Sequence, residues 1–342
     1  MKIKKLLSVC TVLCGLGLSS LVVEAAGVNP AGNAAGAVYS SELTGEPIDI
    51  SLKEQRPVAI MVDNEKIALP HYNTSNADIV YEMMNSTANG RITRLMCVYK
   101  DWKNLPRTGS IRSVRPTNIL LGQEYEAIII HDGGPFYIND YFARYGEHLS
   151  GGFARIKNGK PREFTEYVLA KDLVNRVAKS GMSDKYSAGF NSQHFQFVGA
   201  GEVADLSKYG TVSVATEIKL PFPHNSSKLT YNVNTGKYEY SEYGKAYKDA
   251  GTNTSMSFEN VILQDVSFSQ YDKNGYMIYN CIGTGAGFYI TNGQAVPITW
   301  TKTSERGRTV YTGADGKEIK LNTGKTYIGL VPDDSWSSLA IK

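Results

Sequence analysis

Cysteine is scarce in this 342-residue chain, with four residues in all, two of which fall within the first 25 positions. The other two, Cys97 and Cys281, stand in strand-like runs that we assign to different domains. Two cysteines can form at most one disulfide bond, so a disulfide-stapled scaffold is excluded. We expect buried free thiols, although the sequence does not decide whether they pair. The chain lacks a Cys-x-x-Cys pair, which argues against a structural zinc site or a thioredoxin-type redox site.

A strong excess of charge is also lacking. The chain has 36 Lys and Arg against 33 Asp and Glu, a formal net charge of +3. This balance excludes a protein whose main work is binding nucleic acid. A single apolar run is long enough to cross a membrane, which excludes a multi-span membrane protein. The apolar fraction of 42% and the charged fraction of 20% indicate a globular protein, since disordered and fibrous chains have other compositions.

The long apolar run lies at the N-terminus. Three lysines near the start precede an uncharged stretch over residues 6–23, and small residues follow around Ala25. This order predicts a secretory signal peptide over residues 1–25 and bacterial export. A retained N-terminal anchor helix is the alternative. Membrane contact is expected only through this segment, if it is not cleaved.

The rest of the chain divides by pattern into a linker and two domains. Residues 26–52 are rich in Ala, Gly, Ser and Asn without a helical or strand period, which predicts a flexible linker. Over residues 53–204, short apolar runs that suit strands buried on both faces accompany helix-compatible stretches at 117–125 and 163–179. This mixture predicts an α/β or α+β N-terminal domain. The predicted strands are 58–62, 77–84, 92–99 and 127–130.

Residues 205–342 have a different pattern. Turn signals such as Asn234-Thr235-Gly236 and Thr291-Asn292-Gly293 recur between runs rich in Tyr, Val, Ile and Thr. Hairpins at this spacing predict an antiparallel all-β C-terminal domain, either a sandwich or barrel-like. The predicted strands are 258–271, 276–282, 286–291, 308–312 and 317–321.

Residues that could carry chemistry are densest in the N-terminal domain. Arg94 opens one predicted strand, and Arg112, Ser113 and Arg115 follow in a loop that leads into a predicted helix. Because Arg112 and Arg115 are three positions apart, both guanidinium groups could face one cavity beside the helix N-terminus. Two planar guanidinium groups and the free backbone N–H groups at the helix N-terminus would bind a phosphate or a carboxylate.

Acidic and histidine residues leave other roles open. Carboxylates such as Asp78 could instead form ion pairs with the arginines that only hold loops in place. Asp63 and Asp78 could instead hold a magnesium ion if the ligand is a pyrophosphate, although their spacing does not require a metal. His131, followed by Asp132, could be a general base or an ordinary hydrogen-bonded loop residue. With no catalytic residue, metal ligand or cofactor assigned, the ligand-binding candidates are Arg94, Arg112, Ser113, Arg115, His131, Asp132 and Asp78.

The order of these motifs resembles the YerB-like family of bacterial lipoproteins, which is defined by N- and C-terminal domains of unknown function. The resemblance extends over about residues 55–335. It implies two domains and an extracytoplasmic location, and the family supplies no established activity. This chain departs from the family in two places, at the lipobox cysteine and at the Pro-His pair, where Ala246 and Tyr247 stand. The matching segments are 56–64, 77–82, 92–94, 111–116, 131–134, 260–262, 283–285 and 300–302.

A narrower similarity concerns the strand that contains Asp78. Its Ala-Asp-Ile-Val sequence, followed by strand-end arginines, is similar to the arrangement in LytR-CpsA-Psr phosphotransferases. Those enzymes hold a polyprenyl pyrophosphate with arginines and acidic residues.

Three hypotheses follow. The preferred one is an exported, envelope-associated protein that binds an anionic cell-wall or envelope component through its arginines, with no enzymatic role required. The second is a metal-assisted phosphoryl or glycosyl transferase on cell-wall precursors, which needs Asp63 or Asp78 in the arginine cavity. The third is a purely structural or partner-binding protein. The sequence leaves the ligand and the oligomeric state open.

Overall fold

A mixed β-sheet of eleven strands runs through the protein, whose computed structural model describes residues 37–169 and 171–342. Smaller sheets and a few short helices surround it. The strands of the described residues are β1 (Val38–Ser40), β2 (Pro47–Asp49), β3 (Val58–Asp63), β4 (Ile79–Met84), β5 (Thr93–Tyr99), β6 (Thr108–Gly109), β7 (Ile128–His131), β8 (His148–Ser150), β9 (Ala154–Arg155), β10 (Glu166–Val168), β11 (Gln196–Phe197), β12 (Ser213–Val214), β13 (Glu217–Lys219), β14 (Lys228–Asn232), β15 (Lys237–Glu242), β16 (Lys245–Ala246), β17 (Ser257–Phe258), β18 (Asn260–Val266), β19 (Phe268–Gln270), β20 (Met277–Tyr279), β21 (Gly283–Thr291), β22 (Gln294–Lys302), β23 (Val310–Thr312), β24 (Lys320–Leu321), β25 (Thr326–Pro332) and β26 (Ala340–Ile341). The α-helices of the same residues are α1 (Pro116–Gln123), α2 (Ile138–Tyr145), α3 (Asp172–Ser180) and α4 (Asp333–Trp336), and short 3-10 helices cover Ile50–Leu52, Lys66–Ala68, Thr74–Asn76, Arg162–Phe164 and Leu206–Lys208.

The eleven-stranded sheet contains strands from both sides of the predicted domain boundary at residue 205. Its order is β12-β22-β21-β18-β25-β4-β5-β3-β7-β8, and β23 also pairs with β22. The two parts of the chain meet where β4 and β25 run parallel, with Tyr81 opposite Ile328. The predicted domains therefore share one hydrogen-bonded sheet.

Both faces of this sheet are covered. Side chains alternate along β3, so that Val58 and Ile60 enter one hydrophobic cluster while Ala59 and Met61 enter another. The cluster around Met61 includes side chains of α1 and α2. The cluster around Ile60 includes side chains of α3 and of a six-stranded antiparallel sheet with the order β16-β15-β14-β13-β26, in which β17 also pairs with β15. Burial on both faces explains the continuous apolar sequences of β3, β4 and β5.

The predicted strands of the first part are present as β3, β4, β5 and β7, and the predicted helix at 117–125 is α1. The helix predicted over 163–179 is wrong in its first half. That half forms a 3-10 helix and strand β10, and α3 begins only at Asp172. The reason is tertiary, because β10 pairs with both β6 and β9. The described chain is mainly β-structure with few helices.

The C-terminal prediction of antiparallel β-structure is correct for the hairpins and incomplete for the sheet. The β21–β22 hairpin turns at Asn292 and Gly293, both with positive φ, as an Asn-Gly turn requires. In contrast, β18 and β25 run parallel, so the all-antiparallel assignment is wrong for these strands. The strand predicted over 258–271 is divided among the end of β17, β18 and β19.

The linker prediction is wrong for residues 38–52. This segment contains the β1–β2 hairpin, and Leu43 between the strands is fully buried in the core. Residues 26–36 and the predicted signal peptide lie outside the described residues. None of the described helices has the length and apolar character needed to cross a membrane. Cys97 and Cys281 are buried free thiols, as expected.

Candidate anion-binding site

The strands β3 and β5 bring the first charged residues of the site together. Asp63 ends β3, and Arg94 lies opposite it at the start of the antiparallel neighbour β5. The chain after β6 runs along β3, where Arg112 donates its backbone N–H to the carbonyl of Met61 at 2.9 Å. This contact places the Arg112 side chain beside Asp63, with Nε 2.6 Å from Oδ2. An aspartate that ends a buried strand is therefore the centre of the cluster.

Arg94, Arg112 and Arg115 all line one open cavity of about 710 Å³. The segments around it come from distant parts of the chain, including the loop after β4, the 3-10 helix at Arg162–Phe164 and the turn before β20. The other residues of its wall are Asp63, Glu65, Ile67, Asn85, Ser86, Ala88, Asn89, Ile92, Ser113, Glu163, Phe164, Asn274 and Tyr276.

Arg94 is buried at the inner wall of the cavity. Its Nη1 donates to the carbonyl of Ser113 at 2.8 Å, and its Nη2 lies 3.9 Å from Asp63 Oδ2. Its Nε has no hydrogen-bond partner among the described residues. Burial lowers the pKa of Arg94 to about 9, against the opposing effect of Asp63. The guanidinium therefore stays largely protonated at neutral pH.

Arg115 stands directly before α1 and is also buried. Its guanidinium lies 3.9 Å from the ring centroid of Tyr276, and Nη1 donates to the carbonyl of Val114 at 3.0 Å. Its Nε lacks a partner among the described residues. Burial lowers the pKa of Arg115. Arg112 is more accessible, with 26% of its side chain exposed.

The cluster has more positive than negative charge. Within the described residues, Asp63 is the sole carboxylate within ion-pairing distance of these three arginines. Its other oxygen, Oδ1, accepts the backbone N–H of Glu65 at 2.9 Å. The side chain of Glu65 points to His224, at 3.2 Å from its Nε2, and Glu163 is exposed at the rim. Arg94 and Arg112 therefore share one carboxylate, and Arg115 has none among the described residues, which is not the full pairing that the structural hypothesis requires.

His131 and Asp132 lie outside the cavity wall. Both ring nitrogens of His131 are engaged, with the carbonyl of Gly133 at 2.8 Å and with His148 Nδ1 at 2.9 Å. Burial lowers the pKa of His131 to about 4, so the ring is neutral at pH 7. Asp132 pairs with Arg155 at 2.9 Å. Asp132 does lie beside Arg112, whose carbonyl accepts its backbone N–H at 3.0 Å, but neither predicted side chain lines the cavity, because local partners hold both of them. A ligand-binding role for these two residues stays a prediction.

Asp78 is the third predicted residue whose side chain does not line the cavity. It precedes β4, while Asn85 of the cavity follows this strand, so about 20 Å of extended chain separates them. Its Oδ2 accepts the backbone N–H of Lys100 at 2.6 Å, and burial raises its pKa to about 6. Ser113, in contrast, does line the cavity.

Comparisons with known proteins agree with this architecture. The family described as "Protein of unknown function (DUF3048) N-terminal domain" matches residues 43–183, and its C-terminal counterpart matches residues 218–328. The chain belongs to the DUF3048 family. The Bacillus subtilis (strain 168) protein named "Putative lipoprotein YerB" is 25% identical over 312 residues, which cover 87% of this chain and 88% of that protein. The crystal structure of the Bacillus subtilis YerB protein superposes with a TM-score of 0.74 at 21% identity, covering 89% of this chain and 99% of that one. The resemblance stated from the sequence motifs is confirmed.

Parts of the cavity wall in this DUF3048 chain carry no signal in the sequence. Tyr276 and Asn274 come from the C-terminal half, and an isolated bridge between Ser86 and Tyr276 brings them to the arginines. Phe164, whose ring lies 5.3 Å from the Arg112 guanidinium, falls in the stretch predicted as helix. A turn pattern predicts that a loop exists, but it does not predict which distant residues the loop will contact.

Few carboxylates of the described residues are placed to bind a metal ion in the arginine cavity. Asp63 reaches the arginine cavity, which meets the distance condition of the transferase hypothesis, whereas Asp78 does not. A metal at Asp63 would have to displace Arg112 from its carboxylate. Within residues 37–169 and 171–342 no group of three or more His, Cys, Asp or Glu side chains is arranged to hold a metal ion.

Proposed function

We propose that this protein binds a phosphate- or carboxylate-bearing component of the bacterial cell envelope in the cavity formed by Arg94, Arg112 and Arg115. The observation that carries the proposal is a local imbalance of charge. Three guanidinium groups line one cavity, and Asp63 is the sole carboxylate of the described residues within ion-pairing distance of them. The N-terminal segment typical of a signal peptide supports an envelope location, as does the word lipoprotein in the name of the Bacillus subtilis relative.

Burial makes this imbalance unfavourable without a ligand. A buried charge costs several kcal/mol unless it is paired and hydrogen-bonded, and a buried N–H without an acceptor adds a further cost. Arg115 meets both conditions, because it is buried and, among the described residues, has neither a carboxylate partner nor an acceptor for its Nε. The Nε of the buried Arg94 lacks an acceptor there as well, and the one carboxylate near Arg94, Asp63, is shared with Arg112. An oxyanion in the cavity would supply both the charge and the acceptors. The partial exposure of Arg112 leaves a route of entry.

The charge of the cavity favours phosphate over carboxylate. Among the three arginines and the carboxylate that pairs with them, positive charge exceeds negative charge by two, while the other two carboxylates of the wall lie beside His224 (Glu65) and at the exposed rim (Glu163). A phosphate monoester carries about −1.5 to −2 charges at neutral pH and offers three acceptor oxygens, whereas a carboxylate carries one charge and two oxygens. We therefore expect phosphate-bearing ligands to bind more tightly than carboxylates of the same size.

Isothermal titration calorimetry of the full chain with inorganic phosphate and with acetate tests this proposal. The wild type is expected to bind phosphate more tightly than acetate, with an affinity that falls as sodium chloride is added. The double variant Arg112→Ala/Arg115→Ala is expected to lose at least about 30-fold in phosphate affinity, since two charge-assisted contacts are removed.

The matched control is Lys208→Ala/Lys317→Ala. It also removes two positive charges, but from strongly exposed side chains outside the cavity wall. It is expected to bind phosphate as the wild type does. Equal phosphate binding by the arginine variant and the wild type would refute the proposal, and an equal loss in the lysine control would show that net charge alone is responsible.

A further inference from the structure

Three aromatic rings form a surface beside the arginine cavity, which we call the aromatic platform and define as Phe136, Tyr137 and Tyr271. The side chain of Phe136 is 83% exposed and that of Tyr271 is 49% exposed. The ring of Tyr137 lies between them, with its centroid 5.4 Å from Phe136 and 4.0 Å from Tyr271. Large aromatic side chains are rarely left this exposed, so a surface that holds two of them together needs a reason.

The aromatic platform is continuous with the cavity through one turn. The backbone N–H of Tyr271 donates to the carbonyl of Tyr276 at 2.6 Å, across the turn formed by residues 272–275. Tyr276 lines the cavity and lies against the guanidinium of Arg115. The aromatic platform is therefore separated by one turn of the chain from the part of the cavity wall that holds Arg115.

A hydrogen-bond donor between the two regions is left without an acceptor. Tyr137 is only 5% exposed, and its hydroxyl has no hydrogen-bond partner among the described residues. Burial raises the pKa of Tyr137 to about 12, and the nearby charge of Arg115 opposes this rise. The hydroxyl is therefore protonated at neutral pH, and a buried donor of this kind normally has a partner.

The surroundings of the rings fit a sugar better than an acyl chain. Thr87 Oγ1 donates to Gln270 Oε1 at 2.8 Å, and Asp272 accepts the backbone N–H groups of Asn274 and Tyr276. Polar groups thus stand on either side of the half-exposed Tyr271 along the chain. A sugar ring presents an apolar face together with hydroxyl groups on its edge, which such a mixed surface can bind. An acyl chain would instead require an apolar groove, because its methylene groups form no hydrogen bonds.

We propose that the aromatic platform binds a sugar ring attached to the anionic group in the arginine cavity, so that the ligand class is a phosphate-bearing glycan. This inference rests on the proposed function of the cavity and adds the chemical class of the ligand. The cavity accounts for the phosphate, and the rings of Phe136 and Tyr271 account for the sugar.

Calorimetry of the full chain with inorganic phosphate, N-acetylglucosamine 1-phosphate and octyl phosphate tests the inference. The wild type is expected to bind the sugar phosphate about tenfold or more tightly than inorganic phosphate, since ring contacts add to the shared anionic contacts. The variant Phe136→Ala/Tyr271→Ala is expected to lose this tenfold gain and to keep the wild-type affinity for inorganic phosphate. Val233→Ala, which removes an exposed apolar side chain from the β14–β15 turn, is the matched control and is expected to behave as the wild type.

The outcomes separate this inference from the proposed function. Equal affinity of the wild type for phosphate and sugar phosphate, or a sugar gain that survives in Phe136→Ala/Tyr271→Ala, overturns the glycan inference and leaves the arginine cavity standing. Tighter binding of octyl phosphate than of the sugar phosphate, lost in the same variant, assigns the rings to an acyl chain and also overturns it. No phosphate binding by the wild type overturns the proposed function and this inference with it.

Discussion

Glu82 and Glu242 form a buried acid pair that the sequence patterns do not reveal. Glu82 on β4 accepts hydrogen bonds from Asn225 at 2.7 Å and Tyr327 at 2.7 Å, without a cationic partner among the described residues. The same amide nitrogen of Asn225 lies 3.3 Å from Glu242 Oε2 on β15. Burial, together with the nearby charge of Glu82, raises the pKa of Glu242 to about 8. At neutral pH Glu242 is therefore largely a neutral acid in the folded state.

The raised pKa of Glu242 predicts a pH-dependent stability. Between pH 4.5 and 8 the folded protein holds a proton on Glu242 that the unfolded chain has released. The contribution of this proton to the free energy of unfolding is therefore full below about pH 4.5 and is lost as the pH rises through 8. The variant Glu242→Gln should lack this loss. Its free energy of unfolding relative to wild type is expected to rise by about 3 kcal/mol between pH 5 and pH 8.5, measured by urea unfolding.

The exposed Glu54→Gln is the control for this experiment, because it makes the same chemical change outside the core. Its difference from the wild type should not depend on pH. If the difference for Glu242→Gln is equally flat, the assignment of a proton to this buried carboxyl is wrong.

At the scale of elements, Asp249 connects a C-terminal loop to the 3-10 helix at Thr74–Asn76. Its carboxylate accepts the backbone N–H groups of Asn73 and Ser75, each at 2.9 Å, and that of Gly251 at 2.7 Å. Burial acts to raise the pKa of Asp249, but these backbone donors lower it overall. Next to it, the hydroxyl of Tyr247 is hydrogen-bonded to His71 Nδ1 at 3.0 Å, so the residue at the position that departs from the family pattern makes an internal hydrogen bond here.

Removal of the Asp249 carboxylate should destabilise the fold. Asp249→Ala leaves several N–H groups without their acceptor, and we expect it to lower the free energy of unfolding at pH 7 by about 2–4 kcal/mol. Urea unfolding followed by circular dichroism measures this. Asp315→Ala, in an exposed turn between β23 and β24, is the comparison and should cost less than about 1 kcal/mol. A similar effect of the two substitutions would show that the contacts of Asp249 add little stability.

At the scale of the whole molecule, the central sheet depends on both halves of the chain. β4 lies between β5 and β25, and every residue of β4 is buried. Without β25, β4 would become a sheet edge with unpaired backbone groups and apolar side chains facing water. The same holds for β25 without β4, since all of its residues are buried as well.

The shared sheet predicts that neither half folds alone. Fragments 37–204 and 205–342, expressed separately, are expected to show no cooperative unfolding transition, whereas the intact chain unfolds cooperatively. Circular dichroism during urea titration measures the transitions, and mixing the two fragments should restore part of the signal. A cooperative transition in either isolated fragment would contradict the dependence of β4 on β25.

The sequence by itself determined the elements with strong local patterns. The buried strands β3, β4, β5 and β7 were predictable because continuous burial requires continuous apolar residues, and the β21–β22 turn because Asn-Gly adopts positive φ at little cost. The arginines were recognisable as ligand-binding candidates from the sequence, because a charged side chain beside apolar strands needs a partner. Residue chemistry and short-range sterics are sufficient for such predictions.

Only the tertiary structure decided which of these pieces meet. The pairing of β4 with β25 joins segments about 250 residues apart, and no local pattern specifies it. The same long-range packing brought Tyr276 to Arg115, and it left Asp78 and His131 with other partners. The physical reason is that a side chain's type sets what it can bind, whereas its partners depend on how the whole chain covers its apolar surface.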